Sequence, residues 1–244
     1  MHRTQVTRSH GVTSYMIYDS DMIGFSEARQ LFMHQDELST TLTGGRGGAF
    51  ELPFKNDTLV LRRFKRGGLR QKLHQSRYVW TGISLTRPWR EWLLLYRLYN
   101  WNLPVPQPVA ARVMRQGFTY QAEILTRKIE HAQSLAKSLS HGRLPDRDWR
   151  RIGECIRRFH NAHVFHADLN AHNVLMDLNQ AIWIIDFDRG KLNPRLPLWK
   201  VMNLKRLKRS LSKLQKQQPS LVFSPKEWKE LLKGYNAPQK QGFK

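Results

Sequence analysis

The chain has 244 residues, 40% of them hydrophobic and eight of them tryptophan, which is enough to build a sizeable core in one domain or in two lobes. It carries 41 Lys and Arg against 19 Asp and Glu, and this formal net charge of +22 favours an anionic partner: nucleic acid, an acidic membrane surface or a phosphorylated small molecule. The apolar runs are far shorter than the roughly 20 residues of a membrane-spanning helix, the N-terminus has no apolar secretory segment, and a single cysteine excludes an internal disulfide. These features predict a cytoplasmic protein.

The first half of the chain predicts strands and two helices. SEARQLFM (Ser26–Met33) is typical of a short helix that opens on a serine cap with a glutamate in its first turn. The glycine-rich TGGRGGAF (Thr43–Phe50) precedes TLVLRRF (Thr58–Phe64), whose alternation and branched residues favour a strand. RPWREWLLLYRLYN (Arg87–Asn100) has apolar residues near helical spacing and ends before LPVPQP, which no helix can traverse.

The second half predicts a hairpin, two short strands and further helices. Residues 110–129 suit a hairpin with Gln116 and Gly117 at its turn, and NVLM and AIWIID form short strands around the turn DLNQ. Residues 146–163 predict a helix with Cys155 buried near a core face of Trp149, Ile152, Ile156 and Phe159. Residues 201–214 predict a helix with a basic face opposite an apolar face of Val201, Leu204, Leu207, Leu211 and Leu214. This order predicts an α+β fold with a small β-rich lobe and a larger, mainly helical lobe.

Three oxygen-bearing side chains mark the candidate site. Asp168 and Asn173 lie in one loop between a helix and a strand, and Asp186 closes the next strand, so a hairpin brings all three to one end. An aspartate near a reacting hydroxyl accepts or orients its proton, while Asn and Asp oxygens suit a hard cation such as Mg²⁺. The alternative is that these residues only cap turns, where Asp and Asn are common.

The stretch HADLNAHN resembles the catalytic loop H-R-D-x-x-x-x-N of protein-kinase-like phosphotransferases, and DFD resembles their D-F-G. The resemblance implies a two-lobed protein-kinase-like fold in a single domain, with lobes 1–125 and 126–244, and the use of ATP and Mg²⁺. It assigns Asp168 as the catalytic base, Asn173 and Asp186 as metal ligands, and His166 as the structural histidine of the loop.

The same resemblance implies nucleotide-binding residues upstream. Gly45, Gly47 and Gly48 stand where the phosphate-covering loop of these kinases lies, although one glycine of G-x-G-x-x-G is missing and a flexible turn is the alternative. Arg62 occupies the place of the lysine in V-A-I-K and can pair with phosphate, and Glu91 matches the glutamate that would pair with it. The alternative for Glu91 is a solvated helix charge.

Departures from the protein-kinase pattern point to a different acceptor. Ala167 replaces the arginine that reads a phosphorylated activation loop, Asp188 replaces the last glycine of D-F-G, and no A-P-E follows. These differences favour a small-molecule or glycan acceptor over a protein. The sequence leaves the role of Asp188 open.

The whole chain is similar to the 3-deoxy-D-manno-octulosonic acid (Kdo) kinases, relatives of the heptose kinases of lipopolysaccharide core synthesis, through VLRRFKRGGL, LPVPQPVAA, HADLNAHNVL, WIIDFDRG and NLKRLKRSLSKL. The resemblance implies ATP-dependent phosphorylation of the 4-hydroxyl of Kdo on a lipid A precursor, at the cytoplasmic face of the inner membrane. Basic residues in Arg62–Lys72 and Lys200–Lys216 are candidate contacts to this anionic glycolipid and to the anionic membrane surface. A core heptose remains an alternative acceptor.

Two alternatives come from other classes of protein. His160, His163, His166 and His172, with Asp168, suggest a transition-metal site of a hydrolase, although no H-E-x-x-H frame is present. The high pI of about 10.7 suggests a nucleic-acid binder, but no helix-turn-helix, zinc-knuckle or RNP-type motif supports a specific one. The sequence leaves the oligomeric state open.

Overall fold

The computed structural model describes residues 1–33, 40–41, 49–64, 77–195, 197–218, 221 and 223–238. The chain divides into two compact units, one of Met1–Tyr99 and Pro106–Lys128, the other of Asn100–Val105 and Ile129–Lys244. The first is rich in strands and the second is mainly helical, which confirms the predicted α+β class. That these units are the two lobes of one domain, divided at residue 125, stays a prediction.

The first unit is built on an antiparallel sheet. Its strands are β1 (His2–Ser9), β2 (Val12–Asp19), β3 (Thr40–Thr41), β4 (Ala49–Phe54), β5 (Asp57–Arg63), β6 (Tyr78–Val79), β7 (Pro108–Gln116) and β8 (Thr119–Arg127). The strand order is β1-β2-β7-β8-β5-β4-β3, and β6 pairs with the first residues of β8. The β5 strand lies between β4 and β8, so both of its edges are hydrogen-bonded.

The hairpin of β1 and β2 is a feature that the sequence analysis missed. Its two-residue turn is His10-Gly11, and both residues have positive φ, 47° and 76°, as a type I′ hairpin turn requires. Nearly every residue of β1 is exposed, so this strand shows no alternation of apolar and polar residues.

The β7–β8 hairpin is present with a turn one residue later than predicted. Gln116 still pairs with Thr119, so the turn consists of Gly117 and Phe118. Gly117 takes φ of 59°, a conformation that glycine adopts without the steric cost of a Cβ.

Two helices belong mainly to the first unit, with a short 3₁₀ turn (Ile83–Leu85) before the second. Helix α1 (Phe25–Met33) buries Ala28, Leu31 and Phe32 in a cluster with apolar residues of β2, β4, β5, β7 and β8. Helix α2 (Arg87–Asn100) has the predicted bounds. Its buried face is Pro88, Glu91, Trp92, Leu94, Leu95 and Leu98, so a carboxylate lies among apolar side chains.

The second unit consists of helices and short strands. The helices are α3 (Leu135–Ser140), α4 (Asp146–Asn161), α5 (Trp199–Gln217) and α6 (Pro225–Asn236). The strands are β9 (Gln133–Ser134), β10 (Val164–Phe165), β11 (Val174–Met176), β12 (Ile182–Ile184) and β13 (Lys191–Leu192). The sheets are antiparallel, with β11 between β12 and β9, and with β10 paired to β13.

Helices α4 and α6 pack at close range. The predicted core face of α4 is confirmed, and Cys155 is buried, which raises the pKa of its thiol to about 12. Gly153 and Gly234 allow the two backbones to approach, since a Cβ on Gly153 would lie 2.0 Å from Leu231 O and one on Gly234 would lie 2.0 Å from Arg150 O. Helix α6 begins with a Ser224–Glu227 capping box.

The predicted apolar face of α5 is partly wrong. The buried residues are Trp199, Asn203, Leu207 and Leu211, whereas Val201 is 42% exposed. The polar side chain of Asn203 therefore lies on the buried face, and the apolar side chain of Val201 does not. Within the described residues, no helix combines the length and apolar composition needed to cross a bilayer.

Candidate active site

The loop from His166 to Asn173 connects β10 to β11 and is hydrogen-bonded to the segment that carries Asp186. Asn173 Nδ2 donates to Asp168 O at 2.9 Å, and Ile185 N donates to Asn173 O at 3.0 Å. The His166 ring is 2.9 Å from Ile185 O. The backbones of Asp168, Asn173 and the residue before Asp186 are therefore held in one arrangement within the second unit.

His166 is fixed in one neutral tautomer. Its Nδ1 accepts from Asp168 N at 3.1 Å, so the proton must lie on Nε2, which donates to Ile185 O. Burial lowers the pKa of this ring, while the carboxylates of Asp186 and Asp168 act in the opposite direction. The geometry agrees with the structural role expected for His166.

Asp168 presents an accessible carboxylate, with 62% of its side chain exposed. Asn170 Nδ2 donates to Asp168 Oδ2 at 3.0 Å, and Arg206 Nη1 of α5 lies 4.0 Å from Oδ1. The carboxylate is thus oriented by an amide and a cation, yet open to a solute. A hydroxyl brought to it would find an acceptor for its proton.

Asn170 also shapes the loop, and the sequence analysis missed it. Its Oδ1 accepts from the backbone N of His172 at 2.8 Å and of Asn173 at 3.2 Å, an Asx-type turn. Its position two residues after Asp168 was the available signal, because an amide at that spacing can bond the carboxylate and the turn together. Arg206 gave no comparable local signal, since it comes from a helix more than thirty residues further along the chain.

The donor set fits a hard divalent cation. Asn173 is 8% exposed and uses its Nδ2 for Asp168 O, so Oδ1 is the amide atom that would face a metal ion. Asp186 has φ of 64°, a left-handed conformation that Asp adopts more readily than most residues. Mg²⁺ commonly binds through one or two protein oxygens together with substrate phosphates, which matches an amide and a carboxylate.

The alternative of a transition-metal site finds no support. His160 Nδ1 is 2.8 Å from the Tyr235 hydroxyl and its Nε2 is 3.4 Å from Asn203 Oδ1, while both ring nitrogens of His166 are also hydrogen-bonded. Over the described part of the chain, no group of three or more His, Cys, Asp and Glu side chains is placed to hold a metal.

Asn203 of α5 connects two buried elements of this unit. It is 1% exposed, accepts from His166 N at 3.2 Å and donates to His166 O at 2.7 Å. Its Oδ1 also faces His160, a ring whose pKa falls to about 4 because of burial, with Lys200 and Arg157 adding repulsion. Helix α5 thereby holds the start of the loop that carries Asp168.

In the first unit, Arg62 of β5 forms an ion pair with Glu91 of α2. Glu91 is 3% exposed, so the alternative of a solvated helix charge is wrong. The guanidinium of Arg62 also lies over the Phe64 ring, 4.6 Å from its centroid. The pairing expected of these residues is therefore present, and their role in binding a nucleotide stays a prediction.

Gly45, Gly47 and Gly48 lie outside the described residues, as does most of the basic segment Arg62–Lys72.

Comparison with known proteins gives one consistent match. The profile of the lipopolysaccharide kinase (Kdo/WaaP) family matches residues 30–235. A 3-deoxy-D-manno-octulosonic acid kinase of Haemophilus influenzae (strain PittEE) is 38% identical over 235 residues, which cover 91% of this chain and 96% of the relative. Kinases with the same name from Stenotrophomonas maltophilia (strain K279a) and Xanthomonas axonopodis pv. citri (strain 306) are 42% identical over 200 residues and 37% identical over 235 residues. These two alignments cover 82% and 93% of this chain and 79% and 92% of the relatives.

Proposed function

This chain belongs to the lipopolysaccharide kinase (Kdo/WaaP) family, and we propose that it transfers the γ-phosphoryl group of ATP to the 4-hydroxyl of Kdo on a lipid A precursor. The observation that carries the proposal is the hydrogen-bonded loop of the second unit. It holds the exposed carboxylate of Asp168 together with Asn173 and the segment of Asp186.

Catalysis in this reaction class depends on alignment and on neutralising charge, because the transition state for phosphoryl transfer is loose. Asp168 would receive the acceptor hydroxyl and orient it toward the phosphorus, with Asn170 fixing the carboxylate. Asn173 and Asp186 would bind Mg²⁺. When bound, this ion neutralises charge on the phosphate oxygens.

In the first unit, two features would bind the phosphates of the nucleotide. Arg62, oriented by Glu91, would bind phosphate oxygens through its planar guanidinium. Gly45, Gly47 and Gly48 would let backbone N–H groups approach the phosphates.

We infer further that the protein works as a peripheral protein at the cytoplasmic side of the inner membrane. Leu198, Val201 and Met202, at the start of α5, are 74%, 42% and 44% exposed and lie next to Lys200 and Lys205. Apolar side chains bordered by cations suit the interface of an anionic bilayer, where each basic residue adds about 1 kcal/mol of attraction.

The activity is tested with purified protein, Mg-ATP and a Kdo-lipid A precursor, followed by mass spectrometry. One added phosphate on the Kdo-bearing precursor is the expected product, and the Asp168→Ala variant should give none while it still folds and binds ATP. A core heptose acceptor is assayed in parallel. Transfer to the heptose and not to Kdo would contradict the proposed acceptor.

Membrane attachment is tested by flotation with vesicles rich in phosphatidylglycerol at low salt. The wild type should float, and the Val201→Asp/Met202→Asp variant should float less, because both changes place a carboxylate at the anionic surface. Leu178→Asp is the matched control, since Leu178 is 73% exposed in the turn between β11 and β12. Equal flotation of all three proteins would contradict this surface, and no flotation of the wild type would contradict attachment itself.

A further inference from the structure

Helix α5 is hydrogen-bonded to the catalytic loop at two points. Asn203 holds both backbone polar groups of His166, and Ser210 Oγ accepts from Ala171 N at 3.2 Å. These anchors are seven residues apart, about two helical turns. The stretch of α5 between them is therefore fixed beside the loop that carries Asp168.

Arg206 lies between the two anchors and extends to the reactive end of the loop. Its Nη1 is 4.0 Å from Asp168 Oδ1, and the two side chains are 44% and 62% exposed. An exposed pair at that distance contributes only about 0 to 1 kcal/mol to stability. The guanidinium thus lies near Asp168 in only a weak ion pair, and a solute can reach both groups.

The Asp168 carboxylate would by itself repel an acidic acceptor. It is an anion with 62% of its side chain exposed, and a second carboxylate brought beside it meets like charge. An acceptor sugar that carries its own carboxylate needs a cation at this point. Arginine suits the task, because its planar fork of N–H donors matches a carboxylate in a bidentate manner.

We propose that Arg206 binds the carboxylate of the acceptor sugar while Asp168 receives the hydroxyl that is phosphorylated. The inference rests on the proposed function, since Kdo is an acidic sugar. Arg206 and Asp168 then contact two substituents of one sugar, and this pair of contacts selects an acidic sugar over a neutral one.

The test compares two acceptors in neutral detergent micelles: the Kdo-lipid A precursor and the same precursor with the Kdo carboxylate converted to its methyl ester. The wild type should prefer the free acid in kcat/KM by about 10- to 100-fold, the range expected for hydrogen bonds between charged groups. Arg206→Gln should lose this preference through a higher KM for the free acid, with the KM for ATP unchanged. Arg206→Lys should keep part of the preference, since its charge remains.

Arg147→Gln is the matched control, because Arg147 lies in the first turn of α4 and its side chain is 70% exposed. It should behave as the wild type with both acceptors. The inference is overturned if the wild type does not discriminate, if Arg206→Gln slows both acceptors equally, as a residue that only orients Asp168 would, or if its KM for ATP rises. If the wild type phosphorylates neither acceptor, the proposed function and the inference both fail, whereas phosphorylation without discrimination removes the inference alone.

Discussion

Asn203 of α5 satisfies both backbone polar groups of His166, the first residue of the loop that carries Asp168. These bonds also settle how the amide is oriented: Oδ1 must face the N–H of His166 and Nδ2 must face its carbonyl. The side chain is 1% exposed, so water cannot take over either bond. The position of the loop therefore depends on one buried amide.

Replacing this amide should damage the loop more than replacing its second anchor. We expect Asn203→Ala to destabilise the protein by about 2 to 6 kcal/mol, because two buried backbone groups lose their partner at about 1 to 3 kcal/mol each. Ser210→Ala removes one hydrogen bond, to Ala171 N, and should cost about 1 kcal/mol. Urea unfolding gives both values, and kcat should fall in the same order. Equal effects of the two variants would contradict the dominant role of Asn203.

The contact between α4 and α6 should not tolerate a side chain at either glycine. A Cβ on Gly153 would lie 2.0 Å from Leu231 O and 2.6 Å from Tyr235 N, and these are backbone atoms that move only with the helix. We expect Gly153→Ala to lower the free energy of unfolding by about 3 kcal/mol or more, although alanine favours helix formation elsewhere. Thermal unfolding checks this.

Gly24→Ala provides the matched control for the glycine substitution. The nearest atom to a Cβ there is Glu27 Oε2 at 3.4 Å, the end of a flexible side chain. Its melting temperature should stay near that of the wild type. A Gly153→Ala protein as stable as Gly24→Ala would show that the helices can separate at little cost.

The elements with strong local patterns were predicted well from the sequence. Helix α2 has the predicted bounds, and α4 buries the predicted face, because apolar residues at helical spacing decide both. The β1 strand was missed for the opposite reason: it is exposed along its length and is held by pairing with β2, which a local pattern does not reveal.

In the candidate site too, residues with a local sequence pattern were recognised and residues placed by tertiary contacts were missed. Asp168, Asn173 and Asp186 were assigned from the sequence because they belong to a motif with fixed spacing, and their roles stay a prediction. Asn203 was missed, since a search for apolar periodicity assigns no buried role to an amide. Its burial is offset by hydrogen bonds to a backbone more than thirty residues away, which only the tertiary structure shows.

The Arg62–Glu91 pair leads to a prediction about nucleotide affinity. Glu91→Gln keeps the shape of the side chain but removes the charge that orients Arg62, so the KM for ATP should rise about 10-fold, the effect of about 1.4 kcal/mol. Glu51→Gln is the control, since it breaks the half-buried Lys128–Glu51 pair of the same sheet. Initial rates at varied ATP check both variants, and an unchanged KM in Glu91→Gln would contradict a role for this pair in nucleotide binding.

Buried histidines should make the protein less stable in mild acid. Burial lowers the pKa of His160 to about 4 from 6.5, and it also lowers that of His166. Below pH 6.5 these histidines are therefore protonated in the unfolded chain while they stay largely neutral in the folded one. The contribution of His160 to the free energy of unfolding should be level above pH 6.5 and fall as the pH decreases from 6.5 to about 4, by up to about 1.4 kcal/mol per pH unit, and His166 should act in the same direction.

The hydrogen bonds of His160 are those of the neutral ring, the form that burial favours. Nε2 carries the proton toward Asn203 Oδ1, and Nδ1 accepts from the Tyr235 hydroxyl, so a second proton on Nδ1 would oppose that O–H. The free energy of unfolding, measured with urea at several pH values between 7.5 and 5, should change less with pH for His160→Gln than for the wild type, even if the variant is less stable at every pH. The slope is this dependence of the free energy of unfolding on pH. His131→Asn, which changes an exposed histidine, should keep the slope of the wild type. If His160→Gln keeps that slope as well, the acid sensitivity comes from other groups, and the neutral His160 is not part of it.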